Sequence, residues 1–257
     1  MIDHASLRLP LSSLILLIAF CLCPALVLAE TDESKVVRFN ISPNGYPPYL
    51  IVDQGSPSGI MWDVMKAITD RLGYTLQAKR IPRKRVDQML QDGYIDATSR
   101  AREWTDQPDQ FQFTNPVVAI EEVFFIPRES SFKFTRIEDL YSGTLVTHLG
   151  YIYPSLEPHF EAGRIKRFDV ASDGLMFTYV LHGERFDAAI ADRLVGKWIL
   201  RNRGLKDRFR ISDKGISHYG YRIMLRKDWG EFAQQFNREL TRLRETGELD
   251  NILSQYR

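Results

Sequence analysis

From Val36 to the carboxyl end, short runs rich in β-branched and aromatic residues alternate with amphipathic stretches of helical length, and glycines mark many of the ends. This alternation constrains the fold most strongly. Strands separated by helices of this length build α/β layers with mostly parallel sheets. "VVRFNI" (36–41) reads as a strand. In "GIMWDVMKAITDRLG" the residues Ile60, Val64, Ala67, Ile68 and Leu72 fall on one helical stripe, and Gly73 is placed to stop it. "YTLQAKRI" (74–81) reads as a strand. Pro82 then opens a helix with the stripe Val86, Met89 and Leu90, closed by Gly93, and "YIDATS" (94–99) is the next strand.

The middle of the chain repeats the style. Strands are expected at 143–150, 165–170, 186–191 and 219–226, with helices near 153–163, 172–183 and 192–204. Asp228 and Glu231 form a capping-box-like start for a helix whose Phe232, Phe236, Leu240 and Leu243 face one way, and "GELDNILSQYR" adds a last short helix. One internal echo stands out. "MLQDGYIDA" (89–97) and "VLHGERFDA" (180–188) share an apolar helix end, a glycine and a strand opening on Asp-Ala. Two such units far apart in sequence imply two lobes. In parallel α/β sheets ligands sit beyond the carboxyl ends of the strands. The residues after "YIDAT" and "FDAAIA" are then the ones to watch: Arg100 and Arg102 in the first unit, Asp192 in the second.

Residues 1–29 read as a cleaved signal peptide. Arg8 lies before the apolar run "LSSLILLIAFCLC" (11–23), Pro24 breaks that run, and "VLA" (27–29) precedes Glu30. Both cysteines, Cys21 and Cys23, lie inside it, so the mature chain is expected to have no disulfide, no thiol nucleophile and no cysteine-based metal site. Phe20 and Leu22 precede them, which argues against lipidation. The expected product is a soluble periplasmic protein. With a formal net charge of +1 and no dense basic stripe, nothing points to nucleic acid. His148, His159, His182 and His218 show no i, i+4 metal spacing, so no metal or other cofactor is expected.

Several markers fall together in a recognisable order: "NGYPPYLIVDQGSPSGIMWDVMKAITDRLGY" (44–74), "MLQDGYIDA", "FQFTNPV" (111–117), "IEDL" (137–140), "FDAAIAD" (186–192) and "GELDNILSQY" (247–256). In that order the mature chain resembles the bacterial extracellular solute-binding proteins of the polar amino-acid class, family 3. The resemblance implies an α/β, two-lobed, periplasmic-binding-protein-like (type II) clamshell with two hinge strands. It places lobe 1, discontinuous, at 30–120 plus 218–257, and lobe 2 at 121–217. It implies a monomer that traps a small polar solute between its lobes and delivers it to an inner-membrane ABC permease, without catalysis. A variant reports to a sensor instead.

The resemblance also assigns site residues. Tyr46 in "GYPPY" would pack over the ligand, and Asp192 would bind its ammonium. Gly150 and Tyr151 lie in the turn that presents backbone N–H groups to an anion, helix-N-terminus chemistry. Tyr153 is expected to pack inside the second lobe. The departure is in the first lobe. Family members usually read Thr-Glu-x-Arg before Phe-Ser/Thr-Asp-Pro, and that arginine clamps the α-carboxylate. Here "TDQP" (105–108) precedes "FQFTNP", and Pro108 stands about where the arginine would. A guanidinium fork suits a carboxylate. Arg100 or Arg102 is therefore the expected replacement, and alternation along an extended segment would let both point the same way. The competing role for either is a solvated pair with Glu103 or Asp106. Trp62 and Trp104 are further candidates to line the cleft, and Asp192 has the alternative of capping its helix. The rival reading is a cyclohexadienyl-dehydratase-like enzyme on the same fold, with Glu103 cast as general acid.

Overall fold

The structure is a computed structural model that describes residues 35–52, 55–183 and 185–256; the expected signal peptide lies outside the described residues. Two sheets organise it. The first contains β1 (Lys35–Ile41), β2 (Tyr74–Arg80), β3 (Ala97–Ala101), β4 (Gln112–Phe113), β5 (Val118–Ile120) and a late strand at Tyr219–Leu225. The second contains β6 (Glu122–Pro127), β7 (Thr144–His148), β8 (Lys166–Val170), β9 (Ala188–Asp192) and β10 (Phe209–Ile211), which makes the late strand β11. In the first sheet β1 runs parallel to both β2 and β3, while β11 crosses antiparallel to β3, β4 and β5. In the second, β7 is parallel to β8 and β9, and β6 is antiparallel to β9 and β10. Each sheet is thus a parallel βαβ core joined by an antiparallel strand that brings the chain in or out. This is the two-lobed clamshell, crossed once at Glu121 between β5 and β6 and again over 212–218 between β10 and β11.

The apolar pattern explains the layers. Every residue of β6 from Val123 to Ile126 is buried, because both faces of the sheet are covered. Side chains alternate across a strand. Val123 and Phe125 therefore join one core with Phe177 and Val146, while Phe124 and Ile126 join another with Tyr153 and Ile190. In the first sheet α1 (Ile60–Arg71) buries Ile60, Val64 and Ile68 against Val37 and Phe39. The carboxyl-terminal helices complete that core: α6 over Gly230–Glu245 and α7 over Glu248–Ser254 contribute Phe236, Leu240 and Leu253. Between these lie α2 (Val86–Gln91), α3 (Glu157–Glu161), α4 (Asp173–His182) and α5 (Arg193–Asn202). No helix among the described residues is long and apolar enough to cross a membrane.

The internal echo has a structural meaning. Asp96 accepts the backbone N–H of Arg38 at 2.8 Å, and Asp187 accepts that of Thr144 at 2.8 Å. In both lobes the aspartate ahead of a strand satisfies a backbone donor on the neighbouring parallel strand, which sets the order of the sheet. Asp96 also pairs with the Arg38 and Arg226 guanidinium groups, which compensates a carboxylate with 1 % of its surface exposed.

Local differences from the sequence expectations have local causes. The helix expected near 153–163 is only α3, because Pro158 lacks an N–H and fits only the first turn. The strand expected at 94–99 begins at Ala97 and runs on through Arg100 and Ala101, held by antiparallel pairing to β11. The capping box expected from Asp228 does not form. That carboxylate pairs with Arg226, and α6 starts without a side-chain cap.

Candidate functional site

A cavity of about 520 Å³ opens between the two sheets, at the carboxyl ends of their parallel strands. That volume is typical of a small-molecule site. Residues 98–100 of β3 form part of one wall. Arg100 lies in register with Arg222 of β11 and has 6 % of its surface exposed. Its Nη2 donates to Asp87 Oδ1 of α2 at 3.0 Å. Burial first, then the nearby Arg83, pull the Arg100 guanidinium below its ordinary value, although arginine stays charged at any biological pH.

Arg102 does not share that position. The strand ends at Ala101, and a 3₁₀ turn over Arg102–Trp104 swings the next side chain outward. Arg102 is exposed, pairs with Asp109 and lies over the Phe113 ring. The alternation that would place both arginines on one side stops one residue too early. Trp104, at the end of the same turn, comes back to the cavity wall with 8 % exposure. Glu103, cast as general acid in the enzyme reading, is exposed and is not part of the wall.

Tyr46 lines the cavity and anchors an aromatic cluster. Its ring stacks on Tyr49 at 5.5 Å and meets Tyr151 and Tyr221 edge-on at 6.2 Å each. Such offset and edge contacts are the favoured aromatic geometries. Gly150 and Tyr151 form part of the opposite wall, where β7 ends. Gly150 takes φ 80°, in the left-handed region that suits glycine, and turns the chain so that Tyr151 stacks on His148 at 4.0 Å. Tyr153, two residues on, is in the core as expected. Trp62 is not in the cleft. It packs 6.1 Å from Phe39 on the helix-covered side of the first sheet, where its place in the α1 repeat puts it.

Asp192 is the largest correction. It is the N-cap of α5, and its Oδ1 accepts from Leu194 N at 2.9 Å, Val195 N at 3.1 Å and the Tyr49 hydroxyl at 2.9 Å. Its Oδ2 accepts from Glu121 N at 3.1 Å. With 3 % exposure and four donors, the carboxylate ties the α5 start to the crossing at Glu121 and to Tyr49, and it is not part of the cavity wall. Burial raises its pKa while these hydrogen bonds act the other way.

Five charged groups in the wall were not singled out from sequence: Arg83, Lys84, Glu122, Asp173 and Arg203, of which three bear most on a ligand. Arg83 follows β2 in a 3₁₀ turn over Arg83–Arg85. Its guanidinium lies over Trp104 at 5.8 Å and over Tyr151 at 5.0 Å, so it reaches from one wall to the other. No carboxylate pairs with it among the described residues. Asp173 is the first residue of α4, just after β8, and has no hydrogen-bond or ion-pair partner among the described residues. Burial raises its pKa, and His148 and then Arg83 offset this. Glu122, at the start of β6, has 4 % exposure and accepts from Ser217 Oγ at 2.7 Å; burial pushes its pKa to about 7. Arg83 and Asp173 both lie just past a parallel strand, so the strand-end rule applied to every strand would have found them. Glu122 announces itself as an acid inside the apolar run "VVAIEEVFF".

The cavity therefore carries Arg83 and Arg100 on the side of the first sheet, and Asp173 with the backbone-bonded Arg203 on the side of the second, around a patch of aromatic rings. That arrangement suits a small molecule with separated opposite charges.

Known proteins are similar to this chain in sequence and fold. The arginine-binding extracellular protein ArtP of Bacillus subtilis (strain 168) is 21% identical over 251 residues, covering 93% of this chain and 95% of that protein. A probable histidine-binding protein of Neisseria gonorrhoeae is 24% identical over 232 residues, covering 88% and 84%. Among solved structures, a histidine kinase sensor domain with similarity to periplasmic binding proteins superposes with a TM-score of 0.74 at 21% identity, over 87% of this chain and 96% of that one. The sequence profile of the bacterial extracellular solute-binding proteins, family 3, matches residues 39–257, and the chain belongs to that family.

Proposed function

We propose that this protein captures a small zwitterionic, amino-acid-like solute between lobe 1 (30–120 plus 218–257) and lobe 2 (121–217), in the periplasm, and presents it to an inner-membrane ABC permease. One observation carries the reading: Arg100 lines one wall of the cavity and the unpartnered Asp173 the other. Arg100 takes the carboxylate and Asp173 the ammonium, the role the family resemblance had implied for Asp192. Tyr46, Trp104 and Tyr151 cover the uncharged part, and the Gly150 turn adds backbone N–H groups. Each charged end of the ligand has a counterpart on a different lobe, so binding favours the closed arrangement. The two relatives are named for arginine and histidine, which supports an amino acid. Strand membership supports the lobe division, since each range holds one complete sheet.

The reading includes no chemical step. The acid that the enzyme alternative relied on, Glu103, lies outside the cavity. The protein acts as a monomer that closes around one solute.

Thermal unfolding against amino acids, polyamines, small carboxylates and sugars tests this. A ligand at a hundred times its dissociation constant adds about 2.7 kcal/mol of stability. A clear rise in Tm with at least one amino acid is expected. A shift confined to sugars or polyamines would overturn the reading.

A further inference from the structure

The cavity wall carries four cationic side chains, Arg83, Lys84, Arg100 and Arg203, against two acidic ones, Glu122 and Asp173. Not all are equally available. Arg203 donates to Gly174 O at 2.8 Å, and Arg100 shares its charge with Asp87. Arg83 has neither kind of partner among the described residues. Its contacts are to the rings of Trp104 and Tyr151. A guanidinium held over ring faces keeps the N–H donors at its edge free, and those donors match a carboxylate in fork geometry.

The acidic side of the balance is smaller still. Glu122 already accepts the Ser217 hydroxyl at one oxygen, at 2.7 Å. Asp192, which would have been a second acid, is consumed by four donors. Asp173 is the acid of the wall with no hydrogen-bond or ion-pair partner among the described residues, and so the one open to a ligand cation. Once it holds an α-ammonium, no second unpartnered acid is left in the wall for a cationic side chain, and Arg83 still lacks an anion.

We infer that the solute is an amino acid bearing a second carboxylate, a glutamate- or aspartate-like molecule whose two carboxylates are taken by Arg100 and Arg83 and whose ammonium is taken by Asp173. This rests on the amino-acid reading above and narrows it. It also separates this chain from relatives named for arginine and histidine.

Calorimetric titration at pH 7 with L-glutamate, L-aspartate, L-glutamine, L-asparagine and L-arginine decides the matter, on the wild type and on Arg83→Gln and Arg83→Lys. In the wild type the better of the two acidic amino acids binds at least about tenfold more tightly than its amide, the size of one desolvated charge-assisted contact. Arg83→Gln erases that discrimination, and Arg83→Lys restores part of it by returning the charge without the fork. If arginine or an amide binds most tightly, or if Arg83→Gln leaves the preference for the acid intact, the inference is overturned while the amino-acid reading stands. If a cooperatively folded wild type binds none of the five, the inference is overturned, and the amino-acid reading falls with it only if the thermal-unfolding panel also shows no shift with any amino acid.

Discussion

Glu122 sits in the cavity wall with 4 % of its surface exposed and one hydrogen bond from Ser217. Its pKa is about 7 in the folded protein against an ordinary 4.5, with burial as the leading cause. Between those values the folded state holds a proton that the unfolded chain has released. Stability therefore falls as pH rises through that window and levels off above about 7, at a cost of about 3 kcal/mol. Glu122→Gln cannot ionise and keeps an acceptor for Ser217. Thermal unfolding followed from pH 4.5 to 8 is expected to show the wild type losing ground to this variant as pH rises; parallel curves would contradict the burial argument. At this scale the sequence was only partly legible. Arg100 and Arg102 look equivalent in "SRAREW", and only the turn after Ala101 separates them. Arg83 and Asp173 both looked like ordinary residues at a helix start, because nothing local says that another lobe faces them. Tyr46, Gly150 and Tyr151, which the resemblance assigned to the ligand, do line the cavity.

Among the elements, α5 shows how one residue can serve structure instead of ligand. Asp192 caps the helix, and Val195 one turn later enters the core of the first sheet although α5 follows a strand of the second. Gly196 faces Phe125 so closely that an added Cβ would lie 1.9 Å from its ring, which lets the helix approach β6. Asp192→Ala leaves two helix N–H groups, the Glu121 N–H and the Tyr49 hydroxyl without this acceptor. Denaturant unfolding of the ligand-free variant is expected to show a loss of about 2 kcal/mol or more. A loss below about 0.5 kcal/mol would contradict the capping role. The succession of strands and helices was the most legible level, because periods of 2 and 3.6 are set by the chain itself. The ends were less so: proline shortened α3, and pairing with β11 extended β3, a partner more than a hundred residues away.

For the whole molecule, the two crossings at Glu121 and 212–218 place two similar sheets with their strand ends facing one cavity. Order and spacing of common markers revealed this plan where no single motif would have. The departure at Pro108 was equally informative, since it directed attention to Arg100 of β3 and to Arg102 just beyond it. What the sequence could not supply was the balance of charge across the cleft, a property of two walls that meet only in three dimensions. The central claim is that both walls hold the solute through opposite charges. The direct test is a calorimetric titration of the wild type, Arg100→Ala, Asp173→Asn and Arg102→Ala with whichever amino acid binds most tightly. The account predicts that Arg100→Ala and Asp173→Asn each weaken binding at least about tenfold, the loss of one charge-assisted hydrogen bond, while Arg102→Ala stays within about threefold. Full affinity in either of the first two variants would contradict it.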